Sequence, residues 1–581
     1  MTLGQGLRSA LVRRLRATAR VWRPGGGHLA MLTAAPPDVV GLRPQAGSID
    51  WPASGSIVTT PVVYVCGWAA TASGPCSRVE LAANGKPLGR ARLGLPRQDV
   101  KDATGIHAAE LSGFEALVDL SELDERTVAL SGLGIGVDGD VVSLGPVWIE
   151  LEPSAVPLEQ IDRAPPPRRS AARAPHRRSG ALRLLVCTHQ LDFGGAQLLL
   201  NELLYRIHGA DQIEGVVLAG ADGPTRDSLE RLGLRVHTCP AMPTESPEWY
   251  ESRIEELVAW IASCGCDAAF VNTILAFPFG DASARAGLPV VWAIHENYSL
   301  PVLWASYGQR LDPGVRVRAE LALRASQAVV FTCEATRACY EPYLPSTSCV
   351  TLSYGVDVDA LDRWRAGFDR RWARTRQGFN DETLVILCMA TLAPHKGQVP
   401  LIHAFALVAD RHPEAVLVLV GARQDAYTEA ARMAVAAHGI EERVRIVPVA
   451  SDVRPHYACA DLMVSASDLE STPRSMLEAM ALGLPVLGTR AGGVPELITD
   501  GETGWLCEPS EVRGLAEALD RTLSLDSGER MHVARNARAL VERDHRSDVC
   551  SPAWGDLLRE AAGVGKPEPS VRPAQASTAR D

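Results

Sequence analysis

The sequence predicts an α/β chain of two doubly wound parallel sheets facing a cleft, preceded by a small all-β sandwich. Three observations carry that expectation. From 181 to 562, near-continuous apolar runs alternate with helical stretches, the pattern of strands covered on both faces. That stretch is long enough for two such sheets, and a seam falls near Ser353–Asp357. Residues 48–152 instead show short strand-like runs at close spacing, broken by turn residues.

In chain order, residues 1–47 form a basic segment. Leu3, Leu7, Leu11, Leu15, Ala19 and Trp22 recur three or four apart, with Arg8, Arg13, Arg14, Arg16 and Arg20 between them. This amphipathic stretch fits three readings: peripheral contact with an anionic membrane, a solvated tail, or a mitochondrial presequence. Within 48–152, the run Val62–Trp68 reads as a strand. Val79–Ala83 leads into Asn84-Gly85, a two-residue hairpin signal. Further strands are expected at Phe114–Leu120, Thr127–Leu133 and Val141–Leu151. Residues 153–180, with Pro165-Pro166-Pro167 and six arginines, form a stiff linker. The first α/β domain is placed at 181–355 and the second at 356–562. A Pro/Ser/Ala-rich tail, 563–581, closes the chain and is expected to be disordered.

Composition narrows the function. The 581 residues carry a net charge of -11, although residues 1–37 hold six Arg and no acid. The body is therefore acidic and would repel nucleic acid over most of its surface. The 13 cysteines are scattered, as expected of thiols in a reducing cytoplasm. No run of about 18 apolar residues occurs, so no spanning helix and no secretory core are expected.

The densest motif is Glu470-x7-Glu478, at the end of the predicted strand Leu462–Ser465. Thr472 is suited to cap a helix, Pro473 to begin it, and Gly483 with Pro485 to end it. The N–H groups at the head of such a helix favour a phosphate. Glu470 then stands near a sugar-sized group, with Glu478 deeper and able to accept from ribose hydroxyls. Lys396-Gly397 leaves another strand end. With only four lysines in the chain, this one fits a point charge meeting a diphosphate. The loop with Gly492 and Gly493 permits close backbone approach. In the first domain, Thr188-His189 leads to Gly194-Gly195, without the GxGxxG of nicotinamide sites. His295 ends another strand where the cleft should lie.

Together these motifs, with Gly504 and the seam Tyr354-Gly355-Val356-Asp357, resemble family 4 of the retaining glycosyltransferases, whose fold is GT-B. The match covers about 181–545. The stretch before it looks similar to immunoglobulin-like accessory domains of bacterial glycan enzymes, around Gly67-Trp68 and Ser112-Gly113-Phe114. A spacer or docking role is expected for it.

The resemblance implies transfer of a sugar from a nucleotide-diphosphate sugar to a glycan, glycolipid or other hydroxyl acceptor, with retention of configuration. It implies cell-envelope glycan synthesis on the cytoplasmic side, with no cofactor and no metal. Glu470, His295 and Lys396 take the catalytic positions. Glu478, Thr391, Arg474, Ser475, Gly194, Gly195, Gly492 and Gly493 take the donor-binding ones. One departure is Thr391, where the family commonly has Arg. It removes a cation from the diphosphate site, leaving Arg474 or the helix N-terminus to offset it. The alternatives are a glycan-binding scaffold, or an epimerase or phosphorylase of the same fold.

Overall fold

The computed structural model describes residues 46–565 apart from 59–61, 72–73, 96, 105–110, 121–122, 124, 152–180, 212, 240–241 and 308–310. The basic N-terminal stretch, the Pro/Arg-rich linker and all but the first three residues of the tail lie outside the described residues.

Two parallel sheets organise the rest. The first has seven strands in the order 3-2-1-4-5-6-7, with Arg183–Thr188 at its centre between Glu214–Ala219 and Ala268–Asn272. The second has six strands in the order 3-2-1-4-5-6 around Leu384–Met389. Alternate residues of each strand feed a separate core. Leu185 and Cys187 face one helical layer while Leu184 and Val186 face the other. Ile386 and Cys388 are divided from Leu387 and Met389 in the same way. Burial on both faces explains the unbroken apolar runs of the sequence. The expected α/β class of two doubly wound sheets is the observed one.

The second domain does not keep its last helix. Ser547–Ala562 crosses back and buries Trp554 and Leu558 in the core of the first sheet. Trp554 Nε1 donates to Ser353 O at 3.0 Å, at the seam itself. The boundary expected at 562 is thus corrected: 547–562 packs with 181–355. The apolar face of this helix is covered by the other domain, which its own sequence does not indicate.

The β unit is a chiefly antiparallel path of strands, folded on itself around Val65, Val79, Phe114, Leu130, Leu144 and Ile149. The long strand Lys86–Leu95 pairs with Arg78–Ala83 on one side and Gly113–Asp119 on the other. Asn84-Gly85 makes the expected turn, with Ala83 paired to Lys86. The unit does not stand apart from the α/β domains: its Leu111 is buried in the core of the second one. Among the described residues, no helix is long and apolar enough to cross a membrane.

Candidate active site

The strand ends of both sheets meet at one cleft. In the second domain, Leu384–Met389 runs into the turn Pro394–Lys396. Lys396 Nζ donates to Glu470 Oε1 at 2.6 Å, and Ser467 Oγ donates to the same oxygen at 2.9 Å. Lysine and carboxylate are therefore already paired, with the lysine side chain 23% exposed. Thr391 lies at the head of this turn, where its carbonyl accepts from the buried Gln398.

Glycine at 492 is required by contact. Its φ is +49°, and a Cβ there would run into Glu470 O and into the side-chain amide of Asn297. This one residue therefore brings the Glu470 loop against the segment that follows His295. Next to it, Gly493 N donates to Glu470 O at 3.3 Å.

The helix over Arg474–Ala481 starts later than the cap residues suggest. Pro473 occupies the cap position, and no side chain caps the helix. Thr472 instead turns its hydroxyl to the first domain and donates to Thr332 O at 2.9 Å. Its own carbonyl accepts from Tyr354. The cap expected of Thr472 is thus replaced by a bond between domains, and the N–H groups of Arg474 and Ser475 head the helix.

Glu478 lies one turn in. It accepts from Arg474 Nε at 2.8 Å and from Tyr457 OH at 3.0 Å. Tyr457 OH also reaches Ser475 O at 3.2 Å. Arg474 binds Glu202 of the first domain at 2.7 Å as well. Burial alone would lower the pKa of this guanidinium, but the two carboxylates paired with it outweigh that and hold it above the ordinary arginine range. Arg474 is a link between domains rather than a free cation replacing the one absent at Thr391.

In the first domain, His295 ends the strand Val290–Ile294. Its Nε2 lies 2.9 Å from Asn272 Oδ1. Asn272 Nδ2 donates to Ala196 O, which turns the oxygen toward the histidine. Nε2 therefore carries the proton, and Nδ1 keeps a lone pair. Burial, then the neighbouring His189, pull the imidazole down to about 4, so it is neutral at neutral pH.

His189 also sits near 4 through burial. Its Nδ1 is 3.0 Å from Thr273 Oγ1. Gln197, in the helix that begins at Gly195, stands 3.5 Å from the other ring nitrogen. Gly194 precedes that helix and accepts from Leu198 N. The Gly194-Gly195 loop is tied across the cleft by Asp192, paired with Arg423 at 3.0 Å.

Sequence reading missed Asn272, Thr273 and Glu296. Thr273 has φ +73°, rare for a β-branched residue and typical of a functional constraint. Glu296 is partly buried, and its carboxylate accepts from the N–H groups of Ile274 and His295. It fixes the two strand-end loops side by side. The available signal was a polar pair, Asn272-Thr273, closing an otherwise apolar buried strand. Among the described residues, no group of three or more His, Cys, Asp or Glu side chains is placed to hold a metal ion.

A model described as glycosyl transferase 4-like domain matches residues 194–355, and one described as glycosyl transferases group 1 matches 369–540. The two α/β domains are glycosyltransferase domains with the GT-B fold.

Among curated proteins, the chain is 31% identical to N-acetyl-alpha-D-glucosaminyl L-malate synthase of Bacillus anthracis over 198 residues. That stretch is 33% of this chain and spans only 50% of that protein. It is 27% identical over 382 residues to a GDP-mannose-dependent alpha-(1-6)-phosphatidylinositol monomannoside mannosyltransferase of Mycobacterium tuberculosis. There the match covers 63% of this chain and 94% of the other. A crystal structure of Anabaena HepE in complex with UDP-glucose superposes with a TM-score of 0.54 at 22% identity. It covers 65% of this chain and all of that one. The β-sandwich falls outside the two matched domains.

Proposed function

We propose that this glycosyltransferase moves a sugar from a nucleotide-diphosphate sugar to a hydroxyl of a glycan or lipid-linked acceptor, with retention of configuration. The observation that carries the reading is the Lys396–Glu470 pair at the head of the helix Arg474–Ala481, set against the His295 loop through Gly492. A donor diphosphate takes the lysine from Glu470 and lies along the N–H groups of Arg474 and Ser475. Glu470, released, accepts from hydroxyls of the transferred sugar. His295 offers its Nδ1 lone pair from the other domain. Glu478 receives the ribose beside Tyr457.

In the reaction the bond from the sugar anomeric carbon to the diphosphate oxygen breaks. A bond to the acceptor oxygen forms on the same face. The acceptor proton passes to the departing phosphate oxygen. Negative charge grows on the leaving group, and Lys396 with the aimed N–H groups stabilises it; this works best in a closed, water-poor cleft. Relatives named for GDP-mannose and a neighbour solved with UDP-glucose support a nucleotide-sugar donor. The reading includes cell-envelope glycan synthesis on the cytoplasmic face. It also includes peripheral membrane contact through the basic stretch of residues 1–25, supported by its alternating Leu and Arg.

The test is thermal unfolding against UDP-, GDP-, ADP- and dTDP-sugars, followed by release of free nucleotide with and without acceptor. At a hundred times Kd a ligand stabilises by about 2.7 kcal/mol. A shift with one base, and acceptor-dependent release, are expected. Sugar bound by the β-sandwich with no donor consumed would replace the reading with a glycan-binding scaffold.

A further inference from the structure

The donor-site reading leaves the β-sandwich idle, yet the sandwich is joined to the donor loops from two sides. On one side it grips the segment 508–513, which links the strand Trp505–Cys507 to the helix Val512–Ser524. Val512 N donates to Ser77 O at 2.9 Å. Glu511, 19% exposed, is held between Arg78 and Arg90 at 3.2 Å from each. Arg90 also reaches Pro509 O, and Arg513 reaches Val137 O.

In the middle of this gripped segment Ser510 has φ +53°, a conformation that residues with a side chain seldom adopt. Its Oγ donates to Asp468 Oδ1 at 2.6 Å. Asp468 in turn donates its N–H to His395 O at 2.9 Å. It thereby ties the turn bearing Lys396 to the loop bearing Glu470, two residues further on.

From the other side the strand Lys86–Leu95 lies against the same turn. Arg92, paired with Glu115 at 3.7 Å, is close enough to act electrostatically on both His395 and Asp468. Gly94 (φ +80°) leaves no room for a Cβ against Val399, in the first turn of the helix that follows Lys396.

We propose that the β-sandwich is a positioning domain for the donor site. Through Glu511, Ser510 and Asp468 on one side, and Arg92 and Gly94 on the other, it fixes the Lys396 turn against the Glu470 loop and so sets donor affinity. This rests on the nucleotide-sugar reading above. It assigns the sandwich a part in transfer itself rather than a spacer's part.

The test uses the full chain and its Ser510→Ala, Asp468→Ala and Arg92→Ala variants. Each is titrated with UDP, GDP, ADP and dTDP, then assayed for donor KM and kcat. Ser510→Ala and Arg92→Ala are expected to weaken nucleotide binding and raise donor KM at least fivefold. Their kcat should stay within twofold, and the unfolding temperature without ligand should be unchanged. Asp468→Ala should do the same or more. Lower unfolding temperatures with unchanged nucleotide affinity would show that the contacts only stabilise, and would overturn the proposal. So would wild-type affinity in all three variants. A wild-type chain that binds none of the four nucleotides would instead sink the donor-site reading on which the proposal stands.

Discussion

The carboxylate of Glu496, in the second domain, caps a helix of the first: Oε2 accepts from Glu334 N at 3.0 Å and Oε1 from Ala335 N at 2.9 Å. A carboxylate at a helix N-terminus satisfies orphan N–H groups and meets the positive end of the helix dipole. Here the helix and its cap belong to different domains, so the bond exists only while the cleft is closed. Together with Arg474–Glu202 and Arg423–Asp192, it makes closure an electrostatic matter.

Removing that cap should therefore open the cleft. Loss of a helix cap costs about 1 kcal/mol, enough to change a closed-to-open ratio roughly fivefold. Glu496→Ala is expected to enlarge the radius of gyration in small-angle scattering, with Glu496→Gln in between. Identical scattering curves for all three proteins would show that closure does not depend on this contact.

Lys396 and Glu470 should separate binding from chemistry. With the two paired in the unliganded protein, Glu470→Gln frees the lysine, so nucleoside diphosphate should bind as tightly as to wild type or more tightly. Transfer should nevertheless be lost, because the sugar is no longer held. Lys396→Ala should lose both, weakening the nucleotide by about 10- to 100-fold on the scale of a charge-assisted hydrogen bond. Calorimetric titration beside a transfer assay reads the two effects apart. Wild-type transfer rates in both variants would remove the pair from the mechanism.

How much of this was legible in the sequence follows from what sets each feature. Apolar runs such as Leu184–Val186 and Ile386–Leu387 reveal parallel strands because burial on both faces is a local property of the strand. Glu470, Lys396 and Gly492 were visible because strand-end loops carry their chemistry in a short window. The return of Trp554 to the first sheet was not visible, since a helical pattern shows an apolar face but not what covers it. Thr472 misled for a related reason: a hydroxyl fit to cap a helix is equally fit to bond Thr332 across the cleft. The partners of Arg474 lie 272 residues upstream at Glu202 and four downstream at Glu478. Only the nearer could be guessed from spacing. The grip of the sandwich on 508–513 has no local signature at all.

Arg474 should matter more to stability than to phosphate recognition. Its loss leaves Glu202 and Glu478 facing each other in a site where all three side chains are at most 20% exposed. Breaking such a pair costs about 3 kcal/mol or more, because a carboxylate is left buried without its partner. Arg474→Met is expected to lower the unfolding temperature by several degrees. Restoring the original net charge of the site with Glu202→Gln in the same chain should recover part of it. A variant as stable as wild type but unable to bind nucleotide would return Arg474 to the diphosphate site.

The two cleft histidines make a prediction about pH whose sign is fixed by their depressed pKa values. Unfolded, each takes a proton near 6.5; folded, His189 and His295 do so only near 4. Between those values the unfolded chain binds more protons than the folded one, so their neutral burial favours folding fully above pH 6.5 and progressively less toward pH 4. Stability measured by urea unfolding should therefore fall as pH is lowered through that window. The slope should lessen in His189→Gln and His295→Gln. Since both rings stay neutral well below 6.5, the pH profile of transfer should show no histidine inflection near that value. An inflection at 6.5 that vanishes in His295→Gln would mean the ring titrates freely, and that burial does not hold it neutral in the working enzyme.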